Sequence, residues 1–154
     1  GIMVKTKRRT LHTPALTDRI TIQVRFSEVD SMLVAWHGSY VMYLEDGREA
    51  FGKRYQGIGY EDYFRERMAA PIVNMNIDYK LSLRSGEKAI VETRYIPCEG
   101  AKIMLEYVIY RESDMAVVAT ASTLQVFTSL DTGEMQYVCP DFYTQWKERW
   151  LPKE

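Results

Sequence analysis

The chain has 154 residues, enough for one domain with a sizeable core and too few for two independent ones. Its 20 basic and 21 acidic side chains leave it near neutral, which excludes a nucleic-acid surface built on bulk charge, and a 46% hydrophobic content with 11 tyrosines excludes a disordered chain. The two cysteines, Cys98 and Cys139, have neither CxxC spacing nor a nearby His pair, so reduced thiols in the cytoplasm are expected rather than a zinc site, and no apolar run reaches membrane-spanning length.

Residues 1–18 carry Lys5, Lys7, Arg8 and Arg9 with little apolar pattern and read as a flexible arm, in which His12 is incidental. A single domain then runs over 19–154. Ile20 to Phe26 alternates apolar with polar residues as a half-buried strand does. A short loop, Val29-Asp30-Ser31-Met32-Leu33-Val34-Ala35-Trp36-His37-Gly38, follows, and from Tyr40 the spacing predicts a long helix that Ser39 can cap. Tyr40, Tyr43, Leu44, Gly47 and Phe51 fall on one face of it. Gly47 costs about 1 kcal/mol of helix propensity against Ala, which suggests close backbone approach there.

Gly57-Ile58-Gly59 breaks the helix, Tyr60 to Met68 resumes it briefly, and Pro71 closes the helical region. Four segments rich in β-branched and aromatic residues come next: 72–81, 89–96, 103–110 and 117–127. Their separators are short, so neighbouring strands are antiparallel. A turn at Asp131 to Glu134 leads to a terminal helix over 140–150, whose Phe142, Trp146 and Trp150 form a stripe suited to packing or a subunit contact. The order predicts an α+β fold in which a curved antiparallel sheet wraps one long helix.

The loop is where chemistry would sit. A carboxylate just before a helix can attack a carbonyl carbon or activate water, while unpaired N–H groups of the helix start support an oxyanion. Asp before a helix is also an ordinary cap, and a loop histidine can simply bond to backbone.

The pattern D-x6-H-x2-Y-x4-E, here Asp30, His37, Tyr40 and Glu45, between a strand and a strand meander resembles the hotdog-fold acyl-CoA thioesterases of the 4-hydroxybenzoyl-CoA thioesterase group, from about Thr21 to Pro140. The resemblance implies a homodimer or homotetramer with active sites at subunit interfaces, a coenzyme A thioester as substrate, and no metal or redox cofactor. It gives Asp30 the role of nucleophile or general base, and it puts the His37 backbone N–H at the oxyanion, with the imidazole in the site. Two departures stand out. Family members often carry Tyr where Phe26 stands, and a small Gly-containing stretch where Ser31-Met32-Leu33 stands.

From bulk and position, Phe26, Met32, Leu33, Trp36 and Tyr40 are candidates for the pocket wall, and Arg84 and Lys102, near strand ends, for contacts to the coenzyme A phosphates. Three functions remain open at this point: thioester hydrolysis, a hydratase or dehydratase on the same fold, and a non-catalytic acyl-binding module.

Overall fold

The structure, a computed structural model, describes residues 11–153. Residues 1–10 of the expected arm lie outside the described residues. The remainder of that arm is built into the fold. Strand β1 spans Leu16–Gln23 and pairs antiparallel with β4, Lys88–Ile96, from Leu16↔Tyr95 to Gln23↔Lys88, so the domain starts before residue 19. His12 is likewise anchored: its Nδ1 lies 2.7 Å from Glu106 Oε2, and its backbone N–H donates to Glu106 Oε1 at 2.8 Å. The reason is local need, because Glu106 is buried on the outer sheet face and its carboxylate requires partners.

After a single 3₁₀ turn, Phe26–Glu28, and the Asp30 loop, helix α1 runs from Ser39 to Arg54. Helix α2, Tyr60–Arg65, follows. Its last turn is shorter than the spacing predicts, because Arg67 turns left-handed at φ 55° and Met68–Ala69 form strand β2 on Ser129 and Thr128 instead. Strands β3 (Ile72–Tyr79), β5 (Lys102–Arg111), β6 (Val117–Ser129) and β7 (Met135–Gln136) complete a seven-stranded antiparallel sheet with the order β1-β4-β5-β6. β3 pairs with the first part of β6, and β2 and β7 flank its end. This is the hotdog architecture.

The core lies between α1 and the concave face of the sheet. The face of α1 carrying Tyr43, Leu44, Gly47 and Phe51 is buried, and the helix touches β1 and β4. Opposite it stand Val91 and Tyr95 of β4 and Ile103, Leu105, Tyr107 and Ile109 of β5, one face of each strand at period two. Gly47 sits where helix and sheet come closest: a Cβ there would lie 2.7 Å from Thr93 Oγ1 and 2.8 Å from Val91 Cγ1. Glycine therefore sets the helix-to-sheet distance, as its cost to the helix suggested.

Helix α3, Asp141–Trp150, begins after Pro140 and closes the open end of the core. Its stripe is used in packing. Trp146 Nε1 donates to Tyr55 O at 2.7 Å and Trp150 Nε1 to Gln56 O at 2.9 Å, which satisfies carbonyls just beyond the end of α1. Phe142 packs edge-on against Phe127. Tyr143, which the stripe omits, is fully buried, donates to Lys102 O at 2.7 Å and lies 2.5 Å from the Tyr95 hydroxyl. No helix among the described residues is long and apolar enough to cross a membrane.

Candidate active site

The segment from Phe26 to Ser39 folds back on itself because its backbone groups find partners at both ends. Val29 and Ala35 form an antiparallel bridge, and Val34 bridges Arg84. Asp30 N–H donates to Val34 O, and Leu33 N–H to Asp30 O, both at 2.9 Å. Two further bonds, Ala35 N–H to Leu83 O at 2.7 Å and Ser85 N–H to Leu33 O at 3.1 Å, stitch this loop to the segment before β4. Asp30 stands at the loop's corner, exposed in the single chain. Its Oδ1 accepts the Met32 N–H at 2.8 Å and the Val34 N–H at 3.4 Å, while Oδ2 has no partner among the described residues. Half of the carboxylate thus fixes the loop and half is available.

Leu33 holds φ 62°, a left-handed conformation that side chains of its kind rarely adopt. A Gly-containing stretch at 31–33, as in the resembled family, would meet this backbone demand without strain.

The helix start is less conventional than the sequence suggests. Ser39 is not the cap: its hydroxyl donates to Glu28 O at 2.7 Å, and Gly38 occupies the N-cap position with no side-chain oxygen to offer. Among the described residues, no acceptor meets the His37 or Gly38 N–H. Both residues immediately precede a 16-residue helix, Gly38 as its N-cap, where the peptide dipoles add a partial positive charge. A Cβ on Gly38 would fall 2.2 Å from the Trp36 indole, so the ring lies directly over that backbone. Trp36 and His37 meet edge-on with centroids 5.1 Å apart.

Glu28, which the sequence reading passed over, braces this corner. Its Oε1 accepts the Arg25 N–H at 2.7 Å and the Tyr43 hydroxyl at 3.2 Å, and its carbonyl accepts Trp36 N–H at 3.2 Å. Burial, and then the Glu28 carboxylate, push the Tyr43 phenol well above its ordinary range. Tyr79 was also missed. Its hydroxyl donates to His37 O at 2.8 Å, tying the end of β3 to the helix start. The only signal for Glu28 was an acid three residues after Arg25, the spacing at which a side chain reaches back to the backbone N–H before a turn; Tyr79 gave none, because it is 42 residues from its partner.

The candidate residues divide accordingly. Asp30, Leu33, Trp36, His37 and Arg84 share one corner of the molecule, with Phe26 and Met32 on its surface at 77% and 79% exposure. Tyr40, expected as pocket wall or core, is 2% exposed in the single chain and stacks edge-on against Tyr79 and Tyr43, and burial pushes its phenol up. Within one chain, Lys102 does not join the others. It opens β5, whose far end, Arg111, reaches Ser82 O beside the loop, so ~30 Å of strand separates Lys102 from Asp30's corner.

A groove of about 1200 Å³ runs along the other side of α1, between that helix, α2 and β2, with Ile103, Leu105 and Gln125 of the sheet as floor. Glu45, the last member of the sequence pattern, lines it and accepts from Arg48 Nη2 at 2.5 Å. None of the residues from Phe26 to Tyr40 lines this groove.

Comparison with known proteins places these features in context. The sequence model described as the thioesterase-like superfamily matches residues 24–146. YneP of Bacillus subtilis (strain 168), a candidate acyl-CoA thioesterase by its description, is 32% identical over 129 residues, 82% of this chain and 93% of that one. The DHNA-CoA thioesterase of Staphylococcus aureus superposes with a TM-score of 0.77 at 25% identity over 86% of this chain and 87% of its own. A 4-hydroxybenzoyl-CoA thioesterase, an aspartate-to-asparagine mutant crystallised with 4-hydroxybenzoyl-CoA, shares the fold with a TM-score of 0.73 at 15% identity, covering 84% and 97% of the two chains.

Proposed function

This chain belongs to the thioesterase-like superfamily, and from that premise we propose that it is an acyl-CoA thioesterase that cleaves its substrate to free acid and thiol at Asp30. The observation that carries the assignment to Asp30 is a carboxylate with one free oxygen, rigidly held by its own loop, just ahead of a helix start whose His37 and Gly38 N–H groups lack acceptors. Asp30 attacks the thioester carbonyl carbon, or takes a proton from the water that does so. The carbonyl oxygen gains negative charge and meets the two N–H donors, which are already oriented. The C–S bond then breaks, and the departing thiolate takes up a proton as coenzyme A thiol; where Asp30 itself attacked, water hydrolyses the resulting acyl-aspartyl anhydride, which releases the free acid and restores the carboxylate.

The site is completed between two subunits. β3 has β6 on one side and no strand on the other among the described residues, so its outer backbone groups are open to a second copy of the chain. A two-fold partner paired antiparallel along this edge sets its Tyr79 end, which carries the Asp30 corner, beside the Ile72 end of the first chain, where Met68 to Pro71 border the groove. The free carboxylate of one subunit then faces the groove of the other. Pairing also covers Val73 and Tyr79, which are exposed in the single chain. Arg84, bridged to Val34, is assigned to the coenzyme A arm.

Thiol release from a panel of short, long and aromatic acyl-CoAs tests the assignment. Asp30→Asn removes the nucleophile or base and keeps the loop's acceptor oxygen, so turnover should fall by about 10²–10⁴ while the oligomer persists. A variant that retains its rate would remove Asp30 from the chemistry.

A further inference from the structure

We propose that Gly52 is a specificity-determining residue: the gap it leaves in the α1 wall of the groove receives the far end of the acyl group, so the preferred substrate is an aliphatic chain of about eight carbons or more rather than a single aromatic ring. This rests on the thioesterase reading only in taking the groove as the acyl site.

The two glycines of α1 differ in what holds them. Gly47 is held by packing, since a Cβ there would strike Thr93 and Val91. Gly52 is not. Its backbone is helical, and an added Cβ would meet Gly59 Cα and Ile58 O at 3.9 Å, an ordinary contact distance. Alanine would fit there and suit the helix better. What Gly52 does have is a place on the groove. Glu45, Arg48, Glu49, Gly52 and Gln56 follow one another at three- and four-residue spacing along that wall. Four of the five carry long side chains, so the row is broken at Gly52. Gly59, the N-cap of α2, lines the groove opposite it and also lacks a side chain. Gly52 is only half-buried, so the gap is open to whatever occupies the groove.

Strand register gives the depth of this gap. Ile72 of the edge strand β3 pairs with Gln125 of β6, and Gln125 pairs with Ile103 of β5. Phe51, the neighbour of Gly52, stacks on Tyr95 of β4, one strand further in, with ring centroids 6.5 Å apart. An acyl group entering beside Pro71 at the β3 edge therefore crosses at least two strand spacings, about 10 Å, before it reaches Gly52. A zigzag chain with C–C bonds of ~1.5 Å needs about eight carbons for that span, and one aromatic ring covers only about half of it. Beyond Gln125 the floor is Ile103 and Leu105, almost wholly buried, and Phe51 and Ile58 stand at the far end, so the path is apolar throughout its inner part.

Calorimetry with S-alkyl-CoA thioethers, which cannot be hydrolysed, tests the inference apart from catalysis. The S-butyl to S-dodecyl series and S-benzyl-CoA are titrated into the full-length wild type, Gly52→Ala and Gly52→Leu. In the wild type each methylene should tighten binding about fourfold and should still do so between eight and ten carbons, which gives a decyl-to-octyl ratio of about sixteen. Gly52→Leu fills the gap and should bring that ratio to about one. Gly52→Ala should bring it to about four, while its urea midpoint rises, because the methyl meets no clash and alanine favours the helix. Affinity and stability moving in opposite directions is a result that a packing role for Gly52 would not give. If Gly52→Leu does not fold, Gly52→Ala decides. A wild type whose affinity levels off before eight carbons or that favours the benzyl form, a variant that keeps the ratio of sixteen, a lowered midpoint in Gly52→Ala, or no binding of any analogue overturns the proposal. Chain-length preference without cleavage of the matching thioesters would sink the hydrolase assignment and leave the Gly52 gap standing; cleavage without chain-length preference would do the reverse.

Discussion

At the scale of single residues, the site's legibility follows chain distance. Asp30, Trp36, His37 and Gly38 are close in sequence, so a short motif brings them to one corner whatever the rest of the fold does. Tyr40, Tyr79, Lys102 and His12 depend on contacts up to 94 residues away, which no local pattern encodes. Leu33 carries a testable cost of its own. Its φ of 62° strains the loop by about 1–2 kcal/mol, and Leu33→Gly relieves that strain while adding ~0.5–1 kcal/mol of unfolded-state entropy. The variant should therefore be neutral to about 1.5 kcal/mol more stable in urea denaturation, although a large exposed apolar side chain has been removed. A loss beyond 1 kcal/mol would show that the Leu33 side chain, 55% exposed in the single chain, is buried by a partner.

At the scale of elements, periodicity was enough to place the five longer strands and the two longer helices to within a few residues, because each has one buried face at its own repeat, whereas the two-residue strands β2 and β7 are too short to show one. Where the reading missed, a tertiary hydrogen bond overrode local preference: the end of α2 yielded to β2 pairing, and Ser39 turned from capping its helix to binding Glu28. Gly47 joins the two kinds of reasoning. Gly47→Ala gains about 1 kcal/mol of helix propensity, yet its methyl would press on Thr93 and Val91, which belong to β4 and are both almost wholly buried. Overpacking of this kind costs ~1–3 kcal/mol, so the net change in unfolding free energy should be destabilising. Thermal and urea unfolding check the sign, and a stabilised variant would show that α1 can lift from the sheet without penalty.

At the scale of the whole molecule, the core is unusually phenolic. Burial pushes the Tyr95 and Tyr107 hydroxyls up to about 12, with the Tyr143 and Thr123 partners opposing the rise, and it raises Tyr143 further still. The ordinary value is 10, so the unfolded chain loses these protons first as pH rises. Their contribution to stability is complete below pH 10 and is lost between there and about 12. Urea midpoints measured between pH 8 and 12 should be level at first and then fall steeply; a flat profile would contradict the burial.

The same scale holds what the sequence could least convey, the completion of a site by a second chain. A subunit-complementation assay reads it directly. Asp30→Asn lacks the carboxylate, and Gly52→Phe fills the groove from a helix position where a Cβ meets nothing closer than 3.9 Å. Each homo-oligomer should release little thiol from acyl-CoA. After subunit exchange at equal amounts, half of the pairs are mixed, and one of the two sites in each is intact, so activity should return to about a quarter of wild type. A mixture that exchanges subunits and stays inactive would contradict a catalytic site built from the carboxylate of one chain and the groove of the other.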